Sequence, residues 1–406
     1  MGPIFLTMRV ALLTAANSWS GVEIHTLQLA RALKNRGHDV VIVELGRQGY
    51  VEAPLPIPCP VLQVDLGSGT SGNIPLESLG FMEWRRIFSS LHADVAISVK
   101  GIFKFGSLAM EAAGRLCFPR FLVIEHLHAP LGKRTKGIHF KGLVPGLSLW
   151  WYRQRISGYL RSVFPHKVIC VSNAVAETLY NDYGFPASKL VVVYSGVDTA
   201  QFAPNSITRN LTRESWGIPE AAFVFGTLGR LSPMKNHCQL ITAFSQLCGR
   251  HGERDLRLVI VGDGPLRAAL EALAHSTGMR ERIIFAGFSG TPQNLIPAFD
   301  VFCFPSTTGE SLGIALLEAM SCGCPPIAAA VGGVPEILND KRLGWLIRSG
   351  IENDLLSAMC LAVELDTSSL KQLGANARER VLAGFDAVDR WGELVTLIEA
   401  AFVRGG

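Results

Sequence analysis

At 406 residues the chain is too long for one ordinary core and suits two domains. Hydrophobic residues make up 48% and charged residues 18%, which excludes a disordered chain, and no run of about 18 apolar residues is present to span a membrane. The net charge of +4 is unevenly divided: residues 1–196 hold 20 Lys+Arg against 12 Asp+Glu, a net +8, and residues 197–406 hold a net −4. Nine cysteines, an odd number without a Cys-x-x-Cys, read as structural thiols of a reducing cytoplasm. Cys322-Gly323-Cys324 has no third ligand near it in sequence, so no metal is expected there.

Residues 9–14 form an apolar run that predicts a buried strand. Ser20-Gly21 leads into a helical pattern over 22–36, closed by Gly37, and residues 40–43 are the next strand. Strand, helix and strand in this order form a βαβ unit and predict a parallel sheet. Gly21 allows the backbone to approach a ligand closely, or simply makes the strand-to-helix turn. Further strands are predicted over 95–98, 121–124, 168–171 and 190–193. Glu125-His126-Leu127-His128 follows the second of these at its carboxyl end, the ligand side of a doubly wound sheet. His126, the first residue to clear the strand, is favoured over His128 as a site residue. Ser172 reads as a helix N-cap and needs no chemical role.

Between Lys133 and Lys167 lie eight basic residues and no acidic one: Lys133, Arg134, Lys136, Lys141, Arg153, Arg155, Arg161 and Lys167. Trp150, Trp151 and Tyr152 sit among them. Aromatic rings beside cations suit an anionic membrane surface, with a basic loop that binds an anionic acceptor as the alternative. Lys133, Arg134, Lys136, Lys141, Trp150 and Trp151 are the candidates for either contact, and the plainer reading is a core helix over 147–161.

Residues 199–220 are polar and read as a linker. A new sheet starts over 223–229, and Arg230 and Lys235 follow at once. A planar fork and a compact charge at a strand's carboxyl end suit phosphate oxygens, or else form a solvated pair. Residues 258–261 form a strand before the turn Gly262-Asp263-Gly264-Pro265, with Pro265 at a helix start. Residues 283–287 end at Gly287-Phe288. Residues 301–304 form a buried strand, Pro305 to Gly309 break it, and Glu310 stands in the loop. A helix is predicted over 312–320, stopped by Gly323, Pro325 and Pro326, with Glu318 about two turns in. Its first N–H groups, around Ser311, Leu312 and Gly313, face the loop as donors for an anion. An amphipathic helix over 388–402 closes the chain.

Glu310 and Glu318, eight positions apart between a buried strand and a small-residue helix, precede Gly332-Gly333-Val334-Pro335-Glu336. This pattern resembles the signature of family 4 glycosyltransferases, which are retaining, nucleotide-sugar-dependent enzymes of the GT-B architecture. Gly196-Val197-Asp198, Gly229-Arg230 with Lys235-Asn236, and Gly262-Asp263-Gly264-Pro265 occur in the family's order. The chain departs from the pattern at Ser20-Gly21, where family members usually carry two adjacent glycines.

The resemblance implies an α/β chain of two Rossmann-like, doubly wound domains facing across a cleft. Residues 1–198 would be the acceptor side and 199–385 the nucleotide-sugar domain, with 386–406 crossing back as a helix. The donor would be a nucleotide diphosphate sugar. Arg230, Lys235 and the amides of Ser311, Leu312 and Gly313 would hold its diphosphate, and Gly21 and Gly229 would approach it. Gly287 and Phe288 would face the base, Glu318 the ribose hydroxyls and Glu310 the sugar hydroxyls. His126 would face the sugar from the first domain, so His126, Glu310, Arg230 and Lys235 form the implied catalytic set. No Asp-x-Asp occurs in the chain, so neither a bridging metal nor a cofactor is expected. The implied acceptor is a glycan or lipid-linked molecule, with no nucleic acid partner. The implied setting is envelope polysaccharide, lipopolysaccharide or glycolipid assembly in the cytoplasm or on the inner face of the plasma membrane. Three other readings stand beside this one: a sugar-nucleotide epimerase of the same architecture, a pyridoxal-dependent phosphorylase, which the short chain disfavours, and a non-catalytic nucleotide-sugar-binding protein.

Overall fold

Short apolar runs alternating with amphipathic helices build two parallel sheets in the computed structural model, which describes residues 7–14, 21–45, 56–64, 79–101, 107–126 and 149–403. The first sheet contains β1 (Arg9–Thr14), β2 (Asp39–Leu45), β3 (Val61–Val64), β4 (Val95–Lys100), β5 (Arg120–Glu125), β6 (Lys167–Cys170) and β7 (Leu190–Val192). Its helices are α1 (Gly21–Asn35), α2 (Phe81–Ser89), α3 (Leu108–Cys117), α4 (Leu149–Ser162) and α5 (Asn173–Asn181). The strand order is β3-β2-β1-β4-β5-β6-β7, all parallel. Central strands such as β4 are buried at every position, as expected for a parallel sheet covered on both faces.

The second sheet is formed by β8 (Phe223–Leu228), β9 (Leu256–Val261), β10 (Ile283–Gly287), β11 (Val301–Phe304), β12 (Pro326–Ala329) and β13 (Trp345–Ile347). The helices around it are α6 (Ser206–Ser215), α7 (His237–Arg250), α8 (Arg267–Ser276), α9 (Ile314–Ser321), α10 (Val334–Ile337), α11 (Glu352–Glu364) and α12 (Thr367–Gly384). The order is β10-β9-β8-β11-β12-β13, again parallel. Phe225 and Ile260 of the sheet pack with Phe244 of α7 and Met359 of α11 in its core. Each such buried side chain contributes about 1.5–3 kcal/mol. The last helix, α13 (Ala387–Val403), completes the chain.

The chain divides into Met1–Ser195 with Arg390–Gly406 as one unit, and Gly196–Asp389 as the other. Within the first unit, α13 is tied down by polar contacts. Arg36 donates to Thr396 at 3.0 Å, His38 Nε2 lies 3.0 Å from Glu399 Oε1, and Arg120 donates to the carbonyl of Ala401 at 2.5 Å.

Several expectations need correction. The polar segment 199–220 is not a simple linker, because α6 occupies its middle. The Asn205 side chain caps that helix by accepting from the Thr208 N–H at 2.9 Å. Arg209 and Arg213 then bind the two oxygens of Asp300 at 2.5 and 2.7 Å. A helix held by distant ion pairs shows only as polarity in the sequence. The helix expected from Leu312 begins at Ile314, because Gly313 takes φ +102° as its N-cap. Pro326 does more than stop that helix, since it opens β12. Pro265 stands two residues before α8 rather than in its first turn. Lys133, Arg134, Lys136, Lys141 and His128 lie outside the described residues. Trp150 and Trp151 fall in the first turn of α4.

Candidate functional site

Both strand orders reverse direction once, between β1 and β4 in the first sheet and between β8 and β11 in the second. Loops leaving the carboxyl ends of two strands at such a reversal diverge to opposite faces and leave a crevice. In the second unit the loop after β8 carries Gly229, Arg230 and Lys235, and the loop after β11 carries Glu310 to Gly313. The two loops meet directly. Lys235 Nζ bonds Glu310 Oε1, and Ser306 Oγ donates to the same oxygen at 2.8 Å. The Thr307 N–H donates to the Met234 carbonyl at 2.9 Å, which joins the loops through their backbones as well. Lys235 Nζ also stands 5.1 Å from the centroid of the Phe304 ring, a cation–π distance. Gly229 packs on the same lysine, since a Cβ there would lie 3.6 Å from Lys235 Cε. Arg230 is exposed beside it.

The Glu310 loop is held from behind by Gly332. Its φ is +51°, and a Cβ would fall 1.6 Å from the Glu310 carbonyl oxygen, so only glycine fits. The preceding strand edge is equally tight, because a Cβ on Gly262 would lie 2.0 Å from the Gly229 carbonyl oxygen. Gly262 thus brings the ends of β8 and β9 together, which accounts for the glycine turn after β9. Gly287 accepts from the Gly262 N–H at 2.7 Å, and Phe288 beyond it is 68% exposed. Ser311 and Leu312 are buried ahead of Gly313 and α9. Glu318 is half-buried on α9, and burial pushes its carboxyl up to about 8. His237, the first residue of α7, is buried beside Lys235, and burial pushes it down to about 4, so it is neutral near pH 7.

In the first unit, Gly21 is the exposed first residue of α1. His126 extends the ladder past β5, donating its N–H to the Lys100 carbonyl at 2.9 Å, and is 6% exposed. Sequence reasoning missed what surrounds it. Lys100 and Glu125 end β4 and β5 in register and project to one face. There Lys100 Nζ lies 2.6 Å from Glu111 and 3.5 Å from Glu125, and Arg161 reaches Glu111 at 2.7 Å. All four groups are buried. Burial pushes Glu125 up to about 6, against the pull of Lys100. Lys100 and Arg161 hold Glu111 below the usual carboxylate range although burial opposes them. A charged residue ending an otherwise apolar strand was the available signal, and it stood at both Lys100 and Glu125. Among the described residues, the carboxylates of Glu111 and Glu125 behind His126 are buried and ion-paired.

Among the described residues no three His, Cys, Asp or Glu side chains are grouped as metal ligands. What the second unit offers there is one partly buried lysine, one exposed arginine, the backbone of Ser311 to Gly313 ahead of α9, and the Glu310 carboxylate, with Glu318 further along α9. Cations and amides suit a diphosphate, and carboxylates suit hydroxyl donors.

Residues 19–201 match the description Glycosyltransferase Family 4, and residues 208–380 match Glycosyl transferases group 1. The chain belongs to the family 4 glycosyltransferases. Among relatives of this family 4 chain, the GDP-mannose-dependent alpha-(1-6)-phosphatidylinositol monomannoside mannosyltransferase of Mycobacterium tuberculosis is 34% identical over 248 residues, covering 59% of this chain and 61% of the relative. The UDP-Gal:alpha-D-GlcNAc-diphosphoundecaprenol alpha-1,3-galactosyltransferase of Escherichia coli is 29% identical over 226 residues, covering 55% and 57%. The chain thus spans about three fifths of the length of these curated relatives. Anabaena Alr3699/HepE, solved with UDP and glucose, has a TM-score of 0.75 at 22% identity, covering 97% of this chain and all of that one. A glycosyltransferase from Rickettsia africae ESF-5 has a TM-score of 0.77 at 19% identity, covering 98% of this chain. The fold of this family 4 chain is GT-B.

Proposed function

We propose that the protein is a retaining glycosyltransferase that moves a sugar from a nucleotide diphosphate sugar to a glycan or lipid-linked acceptor in cell-envelope polysaccharide or glycolipid biosynthesis. The observation that carries this reading is the meeting of Lys235 and Glu310 at the strand-order reversal of the second sheet. The names of the relatives support it, since they specify GDP-mannose and UDP-Gal as donors.

The hard step is breaking the bond from the anomeric carbon to the phosphate oxygen, because negative charge grows on the leaving diphosphate. Arg230, Lys235 and the amides of Ser311 to Gly313 stabilise that charge. Lys235 is paired with Glu310, so a diphosphate would compete for the lysine and free the carboxylate for the sugar hydroxyls. Glu318 accepts from the ribose hydroxyls, and Gly287 and Phe288 border the base. His126 and Gly21 carry the donor contacts that the family resemblance assigns to them. With two cations and several amides present, the diphosphate needs no metal. The acceptor proton passes to the leaving phosphate oxygen on the face where the acceptor attacks, which retains the anomeric configuration.

The basic stretch from Lys133 to Lys167, apart from Arg161, which is buried against Glu111, is assigned to an anionic, cytoplasmic membrane surface, with an anionic acceptor as the competing ligand. Within α4 and just after it, Tyr152, Ile156, Tyr159, Leu160 and Val163 are exposed, and apolar and aromatic groups beside cations favour an interface. No helix of the described residues is long and apolar enough to cross a membrane.

One assay tests the main reading: incubation with UDP-glucose, UDP-galactose and GDP-mannose, following nucleoside diphosphate release with and without lipid-linked acceptors. Acceptor-dependent release with retained anomeric configuration is expected. Conversion of the sugar without release, or binding without either, would overturn it. Sedimentation with phosphatidylglycerol vesicles tests the surface, and binding should fall as salt rises.

A further inference from the structure

His126 shares its face of the first sheet with a second histidine. The ring of His25, one turn into α1, meets it edge-on, with centroids 4.4 Å apart and planes at 83°. On its other side His25 meets the indole of Trp391 on α13, at 4.6 Å and 70°. Its Nδ1 lies 3.3 Å from Ser195 Oγ. Its Nε2 is buried and has no hydrogen-bond partner among the described residues. Burial pushes the ring's pKa down to about 3, so it is neutral and brings no charge to its neighbour.

The two outer contacts lie at special places in the chain. The chain leaves the first unit after Ser195 and returns to it at Arg390. Ser195 is the last residue before the outward crossing, and Trp391 is the second residue after the return. The two crossing segments are also fastened to each other. The Val197 N–H donates to Phe385 O and the Ala387 N–H to Val197 O, both at 2.9 Å. A Cβ on Gly196 would lie 2.6 Å from Ala387 Cα, so the segments run in close contact. One buried ring therefore touches both crossings and His126 at once.

We propose that His25 is a positioning residue that couples the two crossings to the ring of His126. The proposal rests on the reading of His126 as the residue facing the donor sugar. Packed interiors do not deform continuously, so a shift of Ser195 or Trp391 displaces the ring between them. The His126 backbone is pinned to Lys100, which leaves its side-chain torsions to respond. A displacement of Ser195 or Trp391 would thereby reset the orientation of His126, and His25 itself transfers no proton.

The test uses the full chain and whichever of UDP-glucose, UDP-galactose and GDP-mannose supports nucleoside diphosphate release. His25→Phe keeps a ring but loses the Ser195 contact, and Trp391→Leu removes the outer wall. Each should lower kcat about three- to tenfold, the scale of one edge-to-face aromatic contact, with donor KM unchanged. Neither should cause further loss in a His126→Ala background, because both act through that ring. Long-range proton–nitrogen spectra of the imidazoles, with His126 assigned by its absence in His126→Ala, should show shifted His126 signals in both variants. Additive losses, or His126 signals identical to wild type, would overturn the coupling. Wild-type turnover in His126→Ala alone would instead overturn the reading of His126 on which it stands. Ser195→Ala removes only a hydroxyl and carries the same test if the ring variants do not fold.

Discussion

Glu318 makes the proposed donor site sensitive to pH in a way that calorimetry reads directly. Burial pushes its carboxyl up to about 8. At pH 7 such a group is about nine-tenths protonated. Ribose hydroxyls that donate to it favour the carboxylate, so binding of the nucleotide draws its pKa back toward the ordinary range. Binding at pH 7 should then release up to about 0.9 proton per site, and the apparent dissociation constant should fall about tenfold between pH 7 and pH 9. The assay is titration with UDP and GDP at pH 7 in buffers of different ionisation enthalpy, repeated at pH 9. Glu318→Gln is the control, because it retains the nucleotide's own titration and lacks the carboxyl's. No proton release by the wild type at pH 7, or the same pH dependence in Glu318→Gln, would refute the ribose contact. The sign for stability runs the other way. The folded protein keeps this proton where the unfolded chain has lost it, so its contribution falls as pH rises toward about 8.

Lys235→Ala should weaken nucleoside diphosphate binding by about 1.5–3 kcal/mol, tenfold or more, measured by calorimetry on the folded variant. Glu310→Gln should lower turnover more than binding, if its contact tightens as the sugar gains positive charge, and wild-type turnover would remove Glu310 from the mechanism. Lys100→Met should destabilise the first unit by about 3–5 kcal/mol, because it leaves buried Glu111 and Glu125 without their shared cation. The folded pKa of Glu125 is raised from 4.5 to about 6, so wild-type stability loses this group's contribution as pH rises across that window. Melting curves of Glu125→Gln should lack that slope. Gly332→Ala drives a methyl into the Glu310 carbonyl and should weaken donor binding along with stability, read by thermal shift with and without UDP.

Much of the site was legible because it lies at the carboxyl ends of strands that read clearly as apolar runs. The runs over β8 and β11 are short, buried and bounded by glycine or proline, and the polar residues after them fall on the ligand side of any parallel sheet. Lys235 and Glu310 were therefore foreseeable as candidate site residues. Their ion pair was not, since the partners stand 75 positions apart. The lysine expected to wait for phosphate is engaged by the glutamate expected to wait for sugar. Glu125, beside the His126 that carries the resemblance, bears its own signal, a carboxylate at the end of an apolar strand.

The sequence by itself determined the alternation of strand and helix, and with it parallel strands in both halves and polar residues following their carboxyl ends. These follow from periodicity, capping and turn chemistry, which act over a few residues. Only the tertiary structure decided which distant groups share a neighbourhood. Asp300 turns a polar stretch into α6 by receiving Arg209 and Arg213. Lys100 meets Glu111 and Glu125 because β4 lies beside β5 and α3 packs over them. His25 meets Ser195, His126 and Trp391 because the chain leaves the first unit and comes back to it. Strand order and crossover path set these pairings, and neither is encoded in any local window of residues.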